Sequence, residues 1–376
     1  LYASMGVDAA DFWAQYDHMY IPELGHNVSV TDYAHTLYIR ASWTDFNPQE
    51  DVYGWKIDSN LRAYIEGAYQ RNMRLAFRVV VDSRDKRTEF TPQFVKDAGA
   101  KGFMNKGKWS PYSDDSVFQK YYTKFVKALA KDFNDPSKVE FIDGFGLGKW
   151  GEYHTMIYST GDDTPKKAVF DWVTDIYSQA FDKVPVVINY HRWIGAGKDW
   201  VDDEHFAADS EEMLEEAIKK GYSLRHDAFG MTTYYGSWER RFAKKYRNIC
   251  PIIMEGGWIV KSHSYWQDPR GYRKDSHEDV RRGEFDDSKE AHVNMMDFRF
   301  GDTEFWFKDA FDLVRRFLRE GGYRLYPSEI SLPLEVSKKG TPTIKHCWNN
   351  MGWGYCPTNI PQWNQKYKVA FALLLS

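Results

Sequence analysis

Short apolar runs alternate with segments of helical periodicity along most of the chain. Continuous apolar runs rich in β-branched residues are typical of parallel strands that are covered on both faces. Such runs predict a strand at the start of segment 141–155 and others at residues 36–43, 75–81, 184–190, 227–233, 251–254 and 293–299. Apolar residues at helical spacing predict a helix capped by Asp58 or Ser59, a helix that starts at Thr164-Pro165, and others at residues 117–129, 210–220, 237–246 and 309–320.

This alternation predicts an α/β fold, either a closed (β/α)8 TIM barrel or an open doubly wound sheet. We favour the barrel, over residues 1–322. Nearly every predicted strand ends in a polar or aromatic residue, which suits the ring of catalytic loops at one end of a barrel. From Tyr323 onward, Pro, Gly and Asn turns separate short apolar runs, which predicts a C-terminal β-rich, β-sandwich-like appendage over residues 323–376.

Three segments show no clear hydrophobic period. A first strand within residues 1–32 cannot be placed from the sequence. Residues 82–115 and 261–292 are expected to be long loops, and the acidic run 284–290 is expected to be a solvated loop. The shape of the long loops decides whether a binding site at this end of the barrel is a cleft or a pocket.

The composition is that of a globular protein with no electrostatic preference for polyanions. With 43% hydrophobic residues the chain can bury a sizeable core, and its net charge of −4 gives no reason to expect nucleic acid or an anionic membrane as a partner. No apolar run is long enough to span a bilayer. The aromatic content of 17% suits the binding of sugar rings, whose apolar faces stack on aromatic side chains, although most of these rings are expected in the core.

The chain has only three cysteines. Cys250 precedes an apolar run and is expected to be a buried free thiol, whereas Cys347 and Cys356 flank a Gly-rich turn and could pair. Such a disulfide would fit an exported protein. We expect both ends to be cut from a longer precursor, and the protein to be secreted, periplasmic or at the cell surface. No Cys/His cluster has metal spacing, and phosphate-loop and serine-hydrolase motifs are absent, so no metal or cofactor is predicted.

Two glutamates follow predicted strands in Gly-rich turns. Glu152 lies in the segment FIDGFGLGKWGEYHT, just after an apolar run and close to Trp150 and His154. Glu255 directly follows the apolar run PIIM, three predicted strands later. In a barrel both side chains would face the same mouth, and two carboxylates that face each other across a sugar are the machinery of glycoside hydrolysis. We therefore interpret Glu152 and Glu255 as a catalytic pair.

Two segments carry a resemblance to known glycosidases. TLYIRASWTDFNPQEDVYGW resembles the segment W-x-x-x-x-P-x-x-G-x-Y-x-W of β-galactosidases in the retaining glycoside hydrolase clan A. FIDGFGLGKWGEYHT resembles the G-x-W-G-E-x-H motif of a bacterial domain-of-unknown-function family with the same barrel and a β-sandwich tail, and the segment GYRLYPSEISLPLEV fits that tail. The resemblance covers most of the chain and implies a clan A barrel that degrades carbohydrate.

The resemblance also implies roles for single residues. It places the acid/base on Glu152, after the fourth strand, and the nucleophile on Glu255, after the seventh. It places Arg40 on the second strand near the nucleophile, and it makes Tyr234 or Tyr235 available to hydrogen-bond the nucleophile from the end of the sixth strand.

These observations predict a retaining glycoside hydrolase that cleaves a poly- or oligosaccharide of β-galactoside or related type. Partial desolvation beside Trp150 would keep Glu152 protonated, and Glu255 near Arg40 would stay ionised. Carboxyls about 6.5–9.5 Å apart instead of about 5–5.5 Å would make the enzyme inverting. If Arg and His groups converge on the site, an anionic or sulfated galactan becomes a candidate substrate. The residues predicted to contact substrate, or to be structural hydrogen-bond partners, are Arg40, Arg78, Trp150, His154, His191, Arg192, His226, Asp227, Tyr234 and Trp258.

Two other functions stay open. Clan members usually carry an Asn immediately before the acid/base that contacts the substrate 2-hydroxyl, whereas this chain has Gly151. A non-catalytic glycan-binding protein on the same barrel is therefore an alternative. A carbohydrate-active transferase that uses the same pair and excludes water is a third. The sequence leaves the sugar, the linkage, endo or exo cleavage, and the oligomeric state undetermined.

Overall fold

The computed structural model describes residues 1–3, 6–83, 89–197, 204–231, 234–259, 276–298, 303–337, 339–364 and 369–372. The strands are β1 (Tyr2–Ala3), β2 (Met19–Ile21), β3 (His26–Val28), β4 (Thr36–Ser42), β5 (Arg74–Val80), β6 (Gly102–Asn105), β7 (Lys108–Pro111), β8 (Val139–Asp143), β9 (Val186–Asn189), β10 (Ser223–Phe229), β11 (Ile252–Gly256), β12 (Met295–Asp297), β13 (Leu325–Ser331) and β14 (Lys345–Asn350). The helices are α1 (Ala9–Asp17), α2 (Trp43–Phe46), α3 (Asn60–Gln70), α4 (Gln93–Asp97), α5 (Ser116–Phe133), α6 (Lys166–Ala180), α7 (Glu204–Lys219), α8 (Ser237–Tyr246), α9 (His277–Glu290), α10 (Thr303–Asp309), α11 (Phe311–Glu320) and α12 (Pro361–Asn364).

Eight of the strands form one parallel sheet that is nearly closed into a barrel. Hydrogen-bonded neighbours follow each other in the order β1-β4-β5-β8-β9-β10-β11-β12, and all seven pairs are parallel. The two end strands also approach each other, because Leu1 beside β1 and Met295 of β12 line one cavity of about 30 Å³. The structure is therefore the predicted (β/α)8 TIM barrel and not an open doubly wound sheet.

Most predicted elements are confirmed with small shifts at their ends. The strands predicted at residues 36–43, 75–81, 184–190, 251–254 and 293–299 become β4, β5, β9, β11 and β12, and each end lies within two residues of its predicted position. Helix α8 has the predicted bounds, and α3 begins directly after its predicted cap, Ser59, whose side chain accepts a hydrogen bond from the backbone N–H of Arg62. Hydrophobic periodicity therefore located the elements whose buried residues are mostly apolar.

Strand β10 begins earlier than predicted. The prediction placed it at residues 227–233, whereas the strand covers Ser223–Phe229. The polar run Arg225, His226 and Asp227 interrupts the apolar pattern, but all three side chains are buried. A strand that contains buried polar residues is therefore not recognised when strands are predicted from apolar runs alone.

The acidic run 284–290 is not a solvated loop, so this prediction was wrong. It lies in helix α9, and Glu284 and Asp287 are buried. Asp287 accepts hydrogen bonds from the backbone N–H of Gly230 at 3.1 Å and from Arg240 Nη1 at 2.7 Å. The helix escaped prediction because its buried face mixes Val280 and Phe285 with paired charged residues, which obscures the apolar period.

The other segments without a clear period also contain regular structure. The first strand, β1, lies at Tyr2–Ala3 and is followed by α1 and the antiparallel hairpin β2-β3. The predicted loop 82–115 contains the short helix α4 and the antiparallel hairpin β6-β7. The described part of 261–292 is α9 and the turn after it.

The C-terminal part of the described chain contains a small antiparallel sheet. Strands β13 and β14 pair with each other, and β13 is exposed along its whole length. This agrees with a β-rich appendage, while the division of the chain at residue 323 stays a prediction. Cys250 is a buried free thiol as expected, but Cys347 and Cys356 are also free, so the suggested disulfide is not formed. No helix among the described residues is long and apolar enough to cross a membrane.

Candidate active site

The segment after β8 brings Glu152 to the carboxyl end of the barrel through an unusually tight backbone. Gly148 and Gly151 have positive φ values of +74° and +77°, and so do Trp150, Tyr153 and Thr155, at +57°, +60° and +49°. Non-glycine residues adopt this region at a cost and do so mainly where the surrounding structure fixes them. The surrounding structure therefore fixes the backbone around Glu152, as expected where a side chain must keep one orientation.

Gly151 has a steric reason to be glycine. Besides its positive φ, a Cβ at this position would lie 3.3 Å from Arg78 Cδ and 3.4 Å from Val80 Cγ2. An Asn side chain would have to displace Arg78, which already contacts Glu152. Arg78 thus packs closely against the loop at Gly151.

Glu152 is buried, with 7% of its surface exposed, and is held at three points. His154 Nε2 lies 3.1 Å from Glu152 Oε2, and Arg78 Nη1 lies 3.4 Å from Oε1. His191 Nε2 lies 2.7 Å from the Glu152 backbone oxygen. Because His191 Nδ1 accepts from the backbone N–H of Trp193 at 3.1 Å, Nε2 carries the proton and donates to that oxygen.

Glu152 shares its guanidinium partner with a second buried carboxyl. Arg78 Nη1 also lies 3.3 Å from Asp227 Oδ2, and Asn189 Nδ2 donates to Asp227 Oδ1 at 3.1 Å. Burial raises the pKa of Glu152 to about 7; the charge of Asp227 adds to this rise and His154 opposes it. Burial acts in the same direction on Asp227, but its hydrogen bond with Glu152 and the charge of Arg78 outweigh burial and hold its pKa well below the usual range. The two carboxyls are thus shifted in opposite directions, and Glu152 keeps its proton to a higher pH than Asp227 does.

Glu255 lies at the carboxyl end of β11 beside Asp297 of β12, which is its partner in register. Only 2% of its surface is exposed. Arg225 Nη2, from β10, lies 2.5 Å from Glu255 Oε2 and donates to Asp297 Oδ2 at 2.9 Å. Burial, together with the charge of Glu255, raises the pKa of Asp297 to about 6 against the opposing charge of Arg225. Glu255 is thus held in an ion pair at the end of its strand.

Arg40 does not make the ion pair with Glu255 that was expected to keep it ionised. Its Nη1 donates to the Tyr2 hydroxyl at 3.1 Å, and its Nη2 donates to the Trp150 backbone oxygen at 3.0 Å. Arg225 is the cation that contacts Glu255. Arg40 instead ties the loop that carries Glu152 to the second strand of the barrel.

A continuous row of ion pairs joins the two glutamates inside the barrel. Arg78 and Asp143 are neighbours in the register of β5 and β8, and Arg78 Nε donates to Asp143 Oδ2 at 2.6 Å. Arg225 Nε lies 3.6 Å from the same oxygen. The row therefore runs Glu152, Arg78, Asp143, Arg225, Glu255. Since its inner members sit on strands, the two terminal carboxyls are fixed relative to each other.

Aromatic and imidazole groups surround Glu152 on the side of its loop. The His154 ring lies 5.6 Å from the Trp150 ring and 5.4 Å from the His191 ring. The Tyr234 ring lies 6.1 Å from the His154 ring. Four predicted site residues, Trp150, His154, His191 and Tyr234, are therefore gathered around Glu152.

Other predicted residues have structural partners or lie at the rim. Arg192 Nη1 contacts both carboxylate oxygens of Glu239, at 2.9 and 2.8 Å. His226 Nδ1 accepts from the backbone N–H of Ala228, and burial lowers the pKa of His226 to about 3, so the ring is neutral. Tyr235, suggested as an alternative to Tyr234, has its hydroxyl 3.2 Å from another tyrosine hydroxyl, that of Tyr190. The side chain of Trp258, just beyond β11, is 57% exposed.

The sequence did not single out four polar residues of this site: Asp143, Asn189, Arg225 and Asp297. A usable signal was present for Asp143, Asn189 and Asp297, because each lies in a predicted strand, where burial of an unpaired polar group would be costly. Arg225 lay outside the predicted strand and had no such signal. The described residues contain no group of three His, Cys, Asp or Glu side chains that could hold a metal ion.

A cavity lies at the opposite end of the barrel. It has a volume of about 430 Å³ and is lined by residues at or before the starts of strands, such as Thr36, Arg74 and Asn294. That end of a TIM barrel is associated with stability, whereas chemistry is found at the carboxyl ends of the strands. The buried carboxyls at the carboxyl ends therefore define the candidate site.

No family model matches the chain, and no curated protein matches it. Among solved structures, an exo-beta-1,4-mannosidase from Opitutaceae bacterium strain TAV5 matches 78% of this chain with 11% identity and a TM-score of 0.45, and the chain covers only 50% of that protein's length. Endo-glycoceramidase II from Rhodococcus sp. has 13% identity and a TM-score of 0.38, covering 67% of this chain and 68% of that one. A beta-galactosidase from the psychrophilic Marinomonas ef1 has 9% identity and a TM-score of 0.41, covering 69% and 49%. At these identities and TM-scores, the similarities add nothing about the chemistry of this chain.

Proposed function

We propose that this protein is a retaining glycoside hydrolase that cleaves a glycosidic bond in a poly- or oligosaccharide of β-galactoside or related type. The observation that carries this proposal is the pair of buried glutamates at the ends of β8 and β11, held in opposite electrostatic settings. Glu152 faces Asp227, which favours its protonated form, whereas Glu255 is ion-paired with Arg225. One proton donor and one ionised carboxylate are the two groups that double displacement requires.

Each residue has a defined task in the proposed reaction. Protonated Glu152 gives its proton to the glycosidic oxygen as the bond from that oxygen to the anomeric carbon breaks. A Glu255 carboxylate oxygen attacks the same carbon and forms an ester. Glu152, now charged, takes a proton from a water molecule whose oxygen displaces Glu255 from the anomeric carbon. Two inversions give net retention and return both glutamates to their starting states.

The charges of the site favour a neutral sugar. A sulfated or carboxylated substrate would need a guanidinium group whose terminal nitrogens are not already engaged. Arg78 faces Asp143, Asp227 and Glu152, and Arg192 is paired with Glu239. Arg40 donates from both terminal nitrogens, to the Tyr2 hydroxyl and to the Trp150 backbone oxygen. We therefore propose that an uncharged glycosyl unit occupies the site between Glu152 and Glu255.

Product analysis tests the reaction type. When the protein is incubated with a panel of neutral galactans, mannans, glucans, their sulfated counterparts and aryl glycosides, we expect cleavage within the neutral set. The first product observed by proton NMR, before mutarotation, should have the same anomeric configuration as the substrate. A product of opposite configuration would show that the enzyme is inverting and that Glu255 is a general base. Cleavage confined to sulfated substrates would overturn the proposal of a neutral sugar.

A non-catalytic glycan-binding protein is the second candidate, and the exposed Trp258 beside the mouth is the observation that favours binding. In either function, its indole would stack on a sugar ring next to the one at Glu255. Replacement of Trp258 by Ala is expected to weaken binding or raise KM about 10-fold, at roughly 1–1.5 kcal/mol, with kcat little changed. Trp258→Phe, which keeps a ring, is the matched control. Binding of the panel without any cleavage would establish the second candidate, and an unchanged KM in Trp258→Ala would remove Trp258 from the site.

A further inference from the structure

One guanidinium group serves three buried carboxyls beside Glu152. Arg78 Nε donates to Asp143, while Arg78 Nη1 lies 3.4 Å from Glu152 Oε1 and 3.3 Å from Asp227 Oδ2. Both carboxyls at Nη1 are nearly inaccessible to water, at 7% and 8% exposure. Two carboxylates that share one donor nitrogen in a buried site repel each other, even though the charges of Arg40 and Arg225 also act on the pair. Protonation of Glu152 or Asp227 relieves this repulsion, so the pair takes up one proton more readily than an isolated carboxyl.

The surroundings of the pair decide where that proton stays. Asp227 receives Arg78 on one oxygen and the Asn189 amide on the other, and Glu152 has Arg78 on one oxygen and His154 Nε2 on the other. The charges around them differ. Against burial, the hydrogen bond with Glu152 and the charges of Arg78 and Arg225 hold the pKa of Asp227 well below its usual range, whereas burial and the charge of Asp227 raise the pKa of Glu152. Asp227 is therefore the charged member, and Glu152 is the member that holds the proton.

The geometry points to Asp227 as a positioning residue: it shares one proton with Glu152 and thereby sets the pH range in which Glu152 can act as the acid. This inference rests on the proposed hydrolase. Asp227 has no place in the displacement itself, and it acts through Glu152. The groups that face Glu152 from each neighbouring element are Arg40 on β4, Arg78 on β5, His154 on its own loop, His191 after β9 and Asp227 on β10.

Asp227→Asn should move the titration of Glu152 in a defined direction. Without the negative charge, the ionised form of Glu152 is less disfavoured, and the new amide N–H₂ can donate to it. The pKa of Glu152, raised to about 7 in the intact pair, should therefore fall by about one unit or more. Proton donation then fails at a lower pH, so the alkaline limb of the kcat profile should move to lower pH by the same amount.

Two measurements on the full chain test this inference separately from the proposed function. Carbon-13 NMR titration of labelled Asp and Glu carboxyls in the unliganded protein, with Glu152→Gln to assign the signal, reads the Glu152 midpoint without any substrate. The pH profile of kcat on a cleaved glycoside reads the same midpoint through activity. Asp162→Asn is the matched control. It removes an exposed carboxylate from the connection between β8 and α6, which also carries Glu152, and it should change neither the Glu152 midpoint nor the pH profile of kcat.

The outcomes are distinguishable. If Asp227→Asn lowers the Glu152 midpoint but no glycoside is cleaved, the shared proton stands and the proposed hydrolase fails. If glycosides are cleaved while the midpoint and the alkaline limb stay in place, the positioning role of Asp227 is wrong. Should Asp227→Asn fail to fold, the wild-type titration alone decides. Glu152 and Asp227 must then titrate in two separated steps, and two independent titrations near ordinary carboxyl values would overturn the inference.

Discussion

Glu255→Ala is expected to lower kcat by roughly 10⁴-fold or more on any cleaved glycoside, because it removes the group that attacks the anomeric carbon. The fold should tolerate the change. Arg225 keeps Asp297 as a partner at 2.9 Å when the Glu255 carboxylate is absent. Thermal denaturation should therefore show a folded protein that has lost turnover, which separates a catalytic role from a structural one.

Azide identifies what each glutamate does. With an aryl glycoside, azide can occupy the space left by Glu255 and should give a glycosyl azide of inverted configuration, since only one displacement occurs. Glu152→Ala is the matched variant. It should lose about 10²–10⁴-fold on substrates whose leaving group needs a proton, and much less on activated aryl glycosides. In that variant azide should give a product of retained configuration. Full activity in either variant removes that glutamate from its role.

The sequence was sufficient to locate these two glutamates. Glu152 lies in the loop after β8 and Glu255 lies near the end of β11, and strand ends in a parallel barrel converge on one mouth. The barrel itself followed from the alternation of apolar strands and amphipathic helices. Both predictions depend on local patterns, which can be recognised in a single sequence.

The partners of the glutamates could not be found in the same way. Arg40 was expected near Glu255, and the charge of Glu255 does act on it, but Arg40 donates its hydrogen bonds to Tyr2 and Trp150, and Arg225 makes the ion pair. Which of several arginines reaches a given carboxylate depends on strand register and on the reach of each side chain. Neither quantity is encoded in the spacing of residues along the chain.

The buried polar face of α9 was missed for a related reason. Periodicity methods treat acidic residues as solvent-facing, but Asp287 binds Arg240 and the backbone of the loop after β10. Pairing offsets the cost of burial, so a charged helix face can be an inner face. Only the positions of the partners show this, and these are a property of the fold.

Arg225→Met is expected to lower both stability and activity. Arg225 is fully buried and contacts Glu255 and Asp297 with the same nitrogen, so its loss leaves two carboxylates side by side without their cation. Removing one partner of a buried ion pair costs about 3–5 kcal/mol. Chemical denaturation at neutral pH should show a loss of this size, and kcat should fall because Arg225 no longer holds the Glu255 carboxylate in position.

The pH dependence of that loss separates charge from packing. The pKa of Asp297, already raised by burial to about 6, should rise further without Arg225. A carboxyl whose pKa is higher in the folded than in the unfolded state favours folding below its unfolded pKa and loses that contribution as pH rises through its folded pKa. Arg225→Met should therefore be least destabilised at acidic pH and most destabilised at neutral pH. The double variant Arg225→Met/Asp297→Asn should recover part of the stability at neutral pH, because one of the two unpaired charges is gone. A destabilisation that is equal at all pH values, and is not relieved in the double variant, would mean that Arg225 serves the barrel through packing and not as the cation that holds Glu255.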